Sequence, residues 1–207
     1  MDGALGLWEA ASPAHRHLLR GVELADSWAT DGHMWLNVPY DCGDAFVADA
    51  ESHRAAMSHR EPYLTHAVEA RDAIDWTPEW SRRGRGVATY AALRQLGRGG
   101  LAELVDRCCR HAHALVTGMG ALRGVEILCT PAINQGLVRL LDPHGGRHDA
   151  WTDRVIGRIV ASGEAFFGAT TWRGQRTMRV SVCNWQTSES GVKRAVAAVS
   201  RVLRAGE

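Results

Sequence analysis

Apolar positions along the second half of the chain fall at helical spacing. Leu101, Leu104, Val105, Cys108, Ala112 and Leu115 recur three and four residues apart, the stripe of an amphipathic helix. A similar pattern precedes it. After Pro78, the residues Val87, Tyr90, Ala91, Leu93 and Leu96 predict a helix that Gly97 and the pair Gly99-Gly100 would end. Beyond these the period changes: Val125–Cys129 and Leu137–Leu141 read as strands separated by the breaker Pro131. Trp151–Val160 reads as a helix, Ala165–Trp172 and Thr177–Cys183 as a hairpin around Arg173-Gly174-Gln175, and Gly191–Arg204 as a closing amphipathic helix.

The first half is less regular. Ser12-Pro13 predicts a capped helix through about Arg20. Val22–Ala29 reads as a strand approach, Thr30–Asn37 as a loop turning at Gly32, Asp44–Val47 as a strand and Glu51–Ser58 as a helix. Between His59 and Trp76 periodicity fails, which predicts an exposed loop. The texture changes near Gly97, so the expected division is residues 1–97 and 98–207.

Charge narrows the functional classes. Lys and Arg total 24 against 23 Asp and Glu, a net charge of +1 that gives no footprint for nucleic acid or an anionic membrane. No stretch has the length of a membrane span, and Met1–Trp8 lacks the basic and apolar regions of a signal peptide. Five cysteines without CxxC spacing read as reduced thiols, so the expectation is a soluble cytoplasmic protein. The pairs His15/His17 and His111/His113 point to different helix faces at i, i+2, and no metal site is expected from them.

The candidate chemistry lies in Asp31-Gly32-His33-Met34-Trp35-Leu36, followed by Asp41-Cys42. This run resembles the cofactor segment of the group II pyridoxal-phosphate-dependent amino-acid decarboxylases, the aromatic amino-acid, glutamate, aspartate and tyrosine decarboxylases among them. Their signature is Asp/Asn-x-His-Lys-Trp-Leu and then Asp-Cys. Met34 stands where that signature has the lysine that bonds the cofactor, and the only lysine in the chain is the distant Lys193. A thioether forms no imine with an aldehyde; a primary amine does.

The resemblance extends to both sides. Asp2-Gly3-Ala4 is similar to the family's Val-Asp-Gly/Ala-Ala strand end. That match implies that Asp2 pairs with the pyridine nitrogen, sustaining the ring as an electron sink, and that Ala4 packs on the ring face. Glu61-Pro62-Tyr63-Leu64 is similar to the family's mobile loop, which implies Tyr63 as the proton donor at the substrate carbon after decarboxylation. Thr177–Thr187 resembles the strand and helix cap near the family's C-terminus.

His33 matches the donor to the cofactor phosphate, although a histidine in a tight turn also serves as a local cap. Asp31 matches a phosphate-side polar position and equally fits a turn residue that bonds its own backbone. Arg179 reads as a strand-edge salt bridge rather than a carboxylate anchor, and Lys193 as a residue of the solvated face of the last helix.

The fold implied is α/β, the C-terminal part of a fold-type-I pyridoxal-phosphate-dependent transferase. It comprises the trailing part of the large domain and a small α+β C-terminal domain. The cofactor implied is pyridoxal 5'-phosphate without covalent attachment, the substrate a small amino acid, and the assembly a homodimer or a complex with a decarboxylase subunit. The match spans only the second half of the family's pattern; the first half carries the plate over the ring, the phosphate loop and much of the substrate pocket. Met1 falls inside what that pattern makes a buried strand, which also fits a fragmented gene or a misplaced start codon. The expectation is a decarboxylase lineage whose copy here is inactive or impaired, or a non-catalytic remnant.

Overall fold

The computed structural model describes residues 1–63 and 71–206. In chain order the regular elements are β1 (Ser27–Asp31), β2 (Gly43–Val47), α1 (Ala50–Met57), α2 (Gly86–Gly120), β3 (Val125–Cys129), β4 (Gln135–Leu140), α3 (His148–Ala161), β5 (Gly168–Trp172), β6 (Gln175–Ser181) and α4 (Glu189–Arg204).

The main layer is a four-stranded antiparallel sheet in the order β3-β4-β6-β5. Strand β4 alternates in burial, with Gly136, Val138 and Leu140 facing inward, as a sheet with one covered face requires. Met178 and Val180 of β6 join them. Helix α2 lays Leu104, Val105, Cys108, Ala112, Leu115, Val116 and Met119 against this face. Helix α3 adds Trp151, Val155, Ile156 and Ile159, and α4 adds Val192, Ala195, Val199 and Leu203. One hydroxyl joins the layers: Thr152 Oγ1 of α3 accepts from the Leu140 amide at 3.2 Å and donates to the Leu140 carbonyl at 3.1 Å. The ladder between β4 and β6 ends at Val138, so this side chain supplies the partners that a further strand pair would have supplied.

Several expectations are corrected. In place of the predicted helix from Ser12 to Arg20 stands a single 3-10 turn, Arg16–Leu19, preceded by another at Leu7–Ala11. Ser12 adopts extended backbone between them and its hydroxyl accepts from the Ala14 amide at 3.1 Å. That segment has no apolar stripe to pack, and a short helix without one is not stable. The strand expected from Val22 starts only at Ser27, because Val22–Leu24 forms a 3-10 turn after Gly21. The helix expected after Pro78 begins at Gly86. It ends at Gly97 as expected, where α2 breaks (φ 61°, ψ −178°), but Gly99 and Gly100 do not extend the interruption and belong to the resumed helix. That backbone region is open essentially to glycine alone. Arg179 is not at a sheet edge: β6 is a central strand, and Arg179 Nε donates to Gln135 Oε1 at 3.1 Å.

The smaller layer is the antiparallel pair β1-β2, with Ser27 opposite Val47 and Asp31 opposite Gly43. The first residues of the chain lie parallel to β1 through the Asp2–Ala29 bridge. No helix among the described residues is long and apolar enough to cross a membrane.

Candidate functional site

Residues 1–8 and 27–37 are tied together by a dense set of bonds. Gly3 donates to the Ala29 carbonyl at 2.7 Å, and Ala29 donates to the Met1 carbonyl at 2.9 Å. Thr30 Oγ1 donates to the Gly3 carbonyl at 3.1 Å. Two indoles complete the tie: Trp8 Nε1 donates to the Asp31 carbonyl and Trp35 Nε1 to the Leu5 carbonyl, both at 3.0 Å. Trp35 is fully buried and belongs to the same core as α2. The turn that leaves β1 is therefore plugged into the main hydrophobic core.

That turn needs a glycine for space. A Cβ on Gly32 would stand 2.8 Å from Val38 Cγ2 and 3.2 Å from Thr89 Oγ1. With the backbone that close, Gly32 donates to the Cys42 carbonyl at 3.1 Å and accepts from the Leu36 amide at 3.0 Å. Asp31 Oδ1 accepts from the Met34 amide at 3.3 Å, so the turn role weighed for Asp31 is realised. The next corner is held by Asn37, one of two non-glycine residues with positive φ among the described residues. Its amide donates to the Met34 carbonyl at 2.5 Å and to the Cys183 carbonyl at 3.1 Å, and its carbonyl accepts from the Trp185 amide at 3.0 Å. Asn37 thus fastens the cofactor-like segment to the loop after β6, a role that the sequence pattern did not disclose.

His33 stacks on Tyr40, with ring centroids 4.5 Å apart and planes inclined by 20°. Its Nδ1 lies 3.1 Å from Asp31 Oδ1, yet the two atoms lack the alignment of a hydrogen bond and the buried nitrogen is unsatisfied. Acidity is concentrated around Asp31. Burial and then the Asp31 carboxylate push Asp44 above the ordinary carboxylate range. The same two causes push the Cys183 thiol up.

Met34 is half-buried, and its side chain packs against the core. Asp2 is exposed, and its Oδ1 accepts from the Ala4 amide at 3.0 Å. Asp2 and Ala4 thus lie on the segment that runs alongside β1, and Asp31, His33 and Met34 at and just past its end, so the five are gathered around β1. Tyr63 is not gathered with them: it is 74% exposed, and among the described residues it makes no hydrogen bond or ring contact to them. The loop expected around it continues into residues 64–70, outside the described residues. Lys193 is exposed on α4 and lines a cavity of about 900 Å³ with Arg107, His111, Trp185 and Ser188. None of the gathered residues lines that cavity.

The pyridoxal-dependent decarboxylase conserved domain matches residues 2–139. Tyrosine/DOPA decarboxylase 3 of Papaver somniferum is 32% identical over 147 residues, which is 69% of this chain and 28% of that protein. The aromatic-L-amino-acid decarboxylase of Drosophila lebanonensis is 27% identical over 175 residues, 83% of this chain and 42% of the relative. This chain therefore spans less than half the length of these relatives. Among solved structures, Oryza sativa TDC with PLP and tryptamine superposes with a TM-score of 0.89 at 21% identity, covering 99% of this chain and 44% of the other. Mouse CSAD in apo form gives 0.81 at 20% identity, covering 97% and 44%. The partial fold-type-I architecture is thereby established, and with the domain match spanning the gathered residues, the chain belongs to the pyridoxal-dependent decarboxylase family.

Proposed function

We propose that this chain carries the amino-acid decarboxylase site of its family in a form that is inactive or strongly impaired. One feature supports the proposal: Met34 stands where the resemblance places the lysine, and its amide is held by Asp31 and its side chain packed on the core. Pyridoxal 5'-phosphate is the family's cofactor. The residues present do not fit its covalent attachment. The thioether has no nucleophilic nitrogen, and Lys193 is exposed on another element. What remains is the unsatisfied Nδ1 of His33, available to a phosphate oxygen, and the exposed carboxylate of Asp2, available to a pyridinium N–H. Both would act only on a ligand held without a covalent bond. The Asp31 carboxylate beside His33 weakens even that, because it repels a phosphate.

The test is direct. The purified chain is incubated with pyridoxal phosphate, reduced with borohydride and weighed by intact-mass spectrometry. No adduct is expected on the native chain beyond a surface level that the remaining amines give with any aldehyde. Met34→Lys should gain a stoichiometric adduct mapping to position 34. A stoichiometric adduct on the native chain at Lys193, or release of carbon dioxide from an amino acid, would overturn the reading.

A second reading is a non-catalytic subunit that pairs with a decarboxylase partner or with itself. It is supported by Val87, Tyr90 and Leu93, exposed together on the part of α2 before Gly97. Under either reading residues 1–97 would be the trailing part of the cofactor domain and 98–207 the small domain, with Tyr63 the lineage's loop proton donor. Five free cysteines suit the reducing cytoplasm. Light scattering of the purified chain distinguishes a monomer from a dimer.

A further inference from the structure

A second cluster, formed where residues 9–15 meet α2, shares no residue with the site above. Glu9, in the turn Leu7–Ala11, is 1% exposed, and its carboxylate faces Cys109 of α2. Cys109 Sγ lies 3.7 Å from Glu9 Oε1 and 3.9 Å from Oε2. His15, from the loop after Pro13, brings Nδ1 to 3.7 Å from Glu9 Oε2. A carboxylate oxygen, an imidazole nitrogen and a thiol sulfur thus lie within 4.8 Å of one another, although Cys109 is separated from Glu9 by 100 positions in the chain.

A carboxylate this deeply buried ordinarily has a fixed cation or several strong donors. Glu9 has a thiol and an imidazole. A second carboxylate stands behind the histidine: Asp106 Oδ1 is 3.7 Å from His15 Nε2 and is itself held by the Ser12 hydroxyl at 2.5 Å. One ring nitrogen facing the donor cluster and the other facing a hydrogen-bonded carboxylate is the arrangement that orients metal-bound histidines.

We propose that Glu9, His15 and Cys109 form a binding site for one divalent transition-metal ion, matched to zinc, with Asp106 as the residue that positions His15. Bond lengths of about 2.0 to 2.3 Å in a tetrahedral site place neighbouring donor atoms about 3.3 to 3.6 Å apart. The separations from Glu9 Oε2, 3.7 Å to His15 and 3.9 Å to Cys109, need a contraction of a few tenths of an ångström, and the His15 nitrogen and Cys109 sulfur, within 4.8 Å of each other, close the rest by rotation of the partly exposed imidazole. The fourth position opens on a surface cavity of about 450 Å³ lined by His15, Cys109 and His113 among others, which gives an entry path and room for a water ligand. On binding, the Cys109 S–H bond breaks, the thiolate sulfur bonds the metal and the proton passes to solvent. A carboxylate and a thiolate then neutralise the dipositive ion. The site would clamp residues 9–15 onto α2, and it does not depend on the chemistry at Met34.

The test uses the full chain with Co²⁺ and Zn²⁺ as probes. One equivalent of Co²⁺ should give the visible bands of a tetrahedral ion together with a thiolate-to-cobalt charge-transfer band in the near ultraviolet, and one equivalent of Zn²⁺ should abolish both. Cys109→Ser should lose the charge-transfer band, while Cys129→Ser, an exposed thiol elsewhere, should keep it. His15→Ala, whose side chain is partly exposed and tolerant of replacement, should weaken Zn²⁺ binding at least tenfold. Asp106→Asn should weaken it about 10- to 100-fold while the cobalt spectrum keeps its shape. Absence of the charge-transfer band in the native chain at excess Co²⁺, or its survival in Cys109→Ser, would overturn the proposal.

Discussion

Replacing Asn37 tests how the cofactor-like segment is held. Its side chain makes three hydrogen bonds, to the Met34 and Cys183 carbonyls and from the Trp185 amide. Its backbone sits at φ 51°. A protein hydrogen bond contributes about 0.5 to 1.5 kcal/mol net, and for an exposed side chain the bottom of that range, about 0.5 to 0.7 kcal/mol, applies, so three bonds contribute about 1.5 to 2 kcal/mol. Left-handed backbone costs an alanine about 1 kcal/mol more than it costs asparagine or glycine. Asn37→Ala should therefore lose about 2.5 to 3 kcal/mol, and Asn37→Gly about 1 kcal/mol less because it removes only the bonds. Asn37→Asp keeps the acceptor for Trp185 but sets a carboxylate against two carbonyl oxygens, so it should be no more stable than the glycine variant. Urea unfolding followed by tryptophan fluorescence measures all three. The reasoning fails if Asn37→Gly matches the parent within about 0.5 kcal/mol, or if the alanine and glycine variants are equally stable.

Thr152→Val should cost about 1 to 3 kcal/mol in the same assay, because it leaves the buried Leu140 amide and carbonyl without partners; Thr152→Ser, which keeps the hydroxyl, should cost less. Gly97→Ala should cost about 1 to 3 kcal/mol by forcing a side chain into a glycine-only backbone region, and a gain in stability would contradict the break seen there. Burial first, then Arg107 and Arg110, hold the His111 imidazole below its ordinary value of 6.5. The unfolded chain then binds the proton before the folded one. Stability should fall as pH drops through 6.5 toward the lower folded value, and His111→Gln should flatten that part of the profile, read as parent minus variant.

Periodic stretches of the sequence translated well into structure. The α4 stripe of Val192, Ala195, Val199 and Leu203 and the alternation of β4 are written in local spacing, and spacing is what a pattern reads. The segment before Ser27 misled for the opposite reason. It has no repeating apolar face, and its shape is set by tertiary bonds such as Ser12 to Asp106 and Trp35 to Leu5. The cofactor-like segment drew notice because Asp31–Leu36 is one unbroken run followed closely by Asp41-Cys42. The roles of Asn37, which reaches 148 positions to Trp185, and of Glu9, which reaches 100 positions to Cys109, were not legible. Such partners are joined by topology, and the i, i+2 rule that excluded the histidine pairs was blind to a single histidine meeting donors from elsewhere.

Strand β2 shows what the small layer leaves undone. It bonds β1 on one side, and on its other side no strand pairs with it among the described residues, while Phe46 and Val47 stand exposed upon it. An open edge carrying bare apolar groups templates the addition of further chain. Handling this polypeptide at high concentration should therefore be limited by edge-to-edge stacking rather than by unfolding. A lysine in place of Phe46 would act as a gatekeeper, raising solubility without replacing any of the family residues gathered around β1.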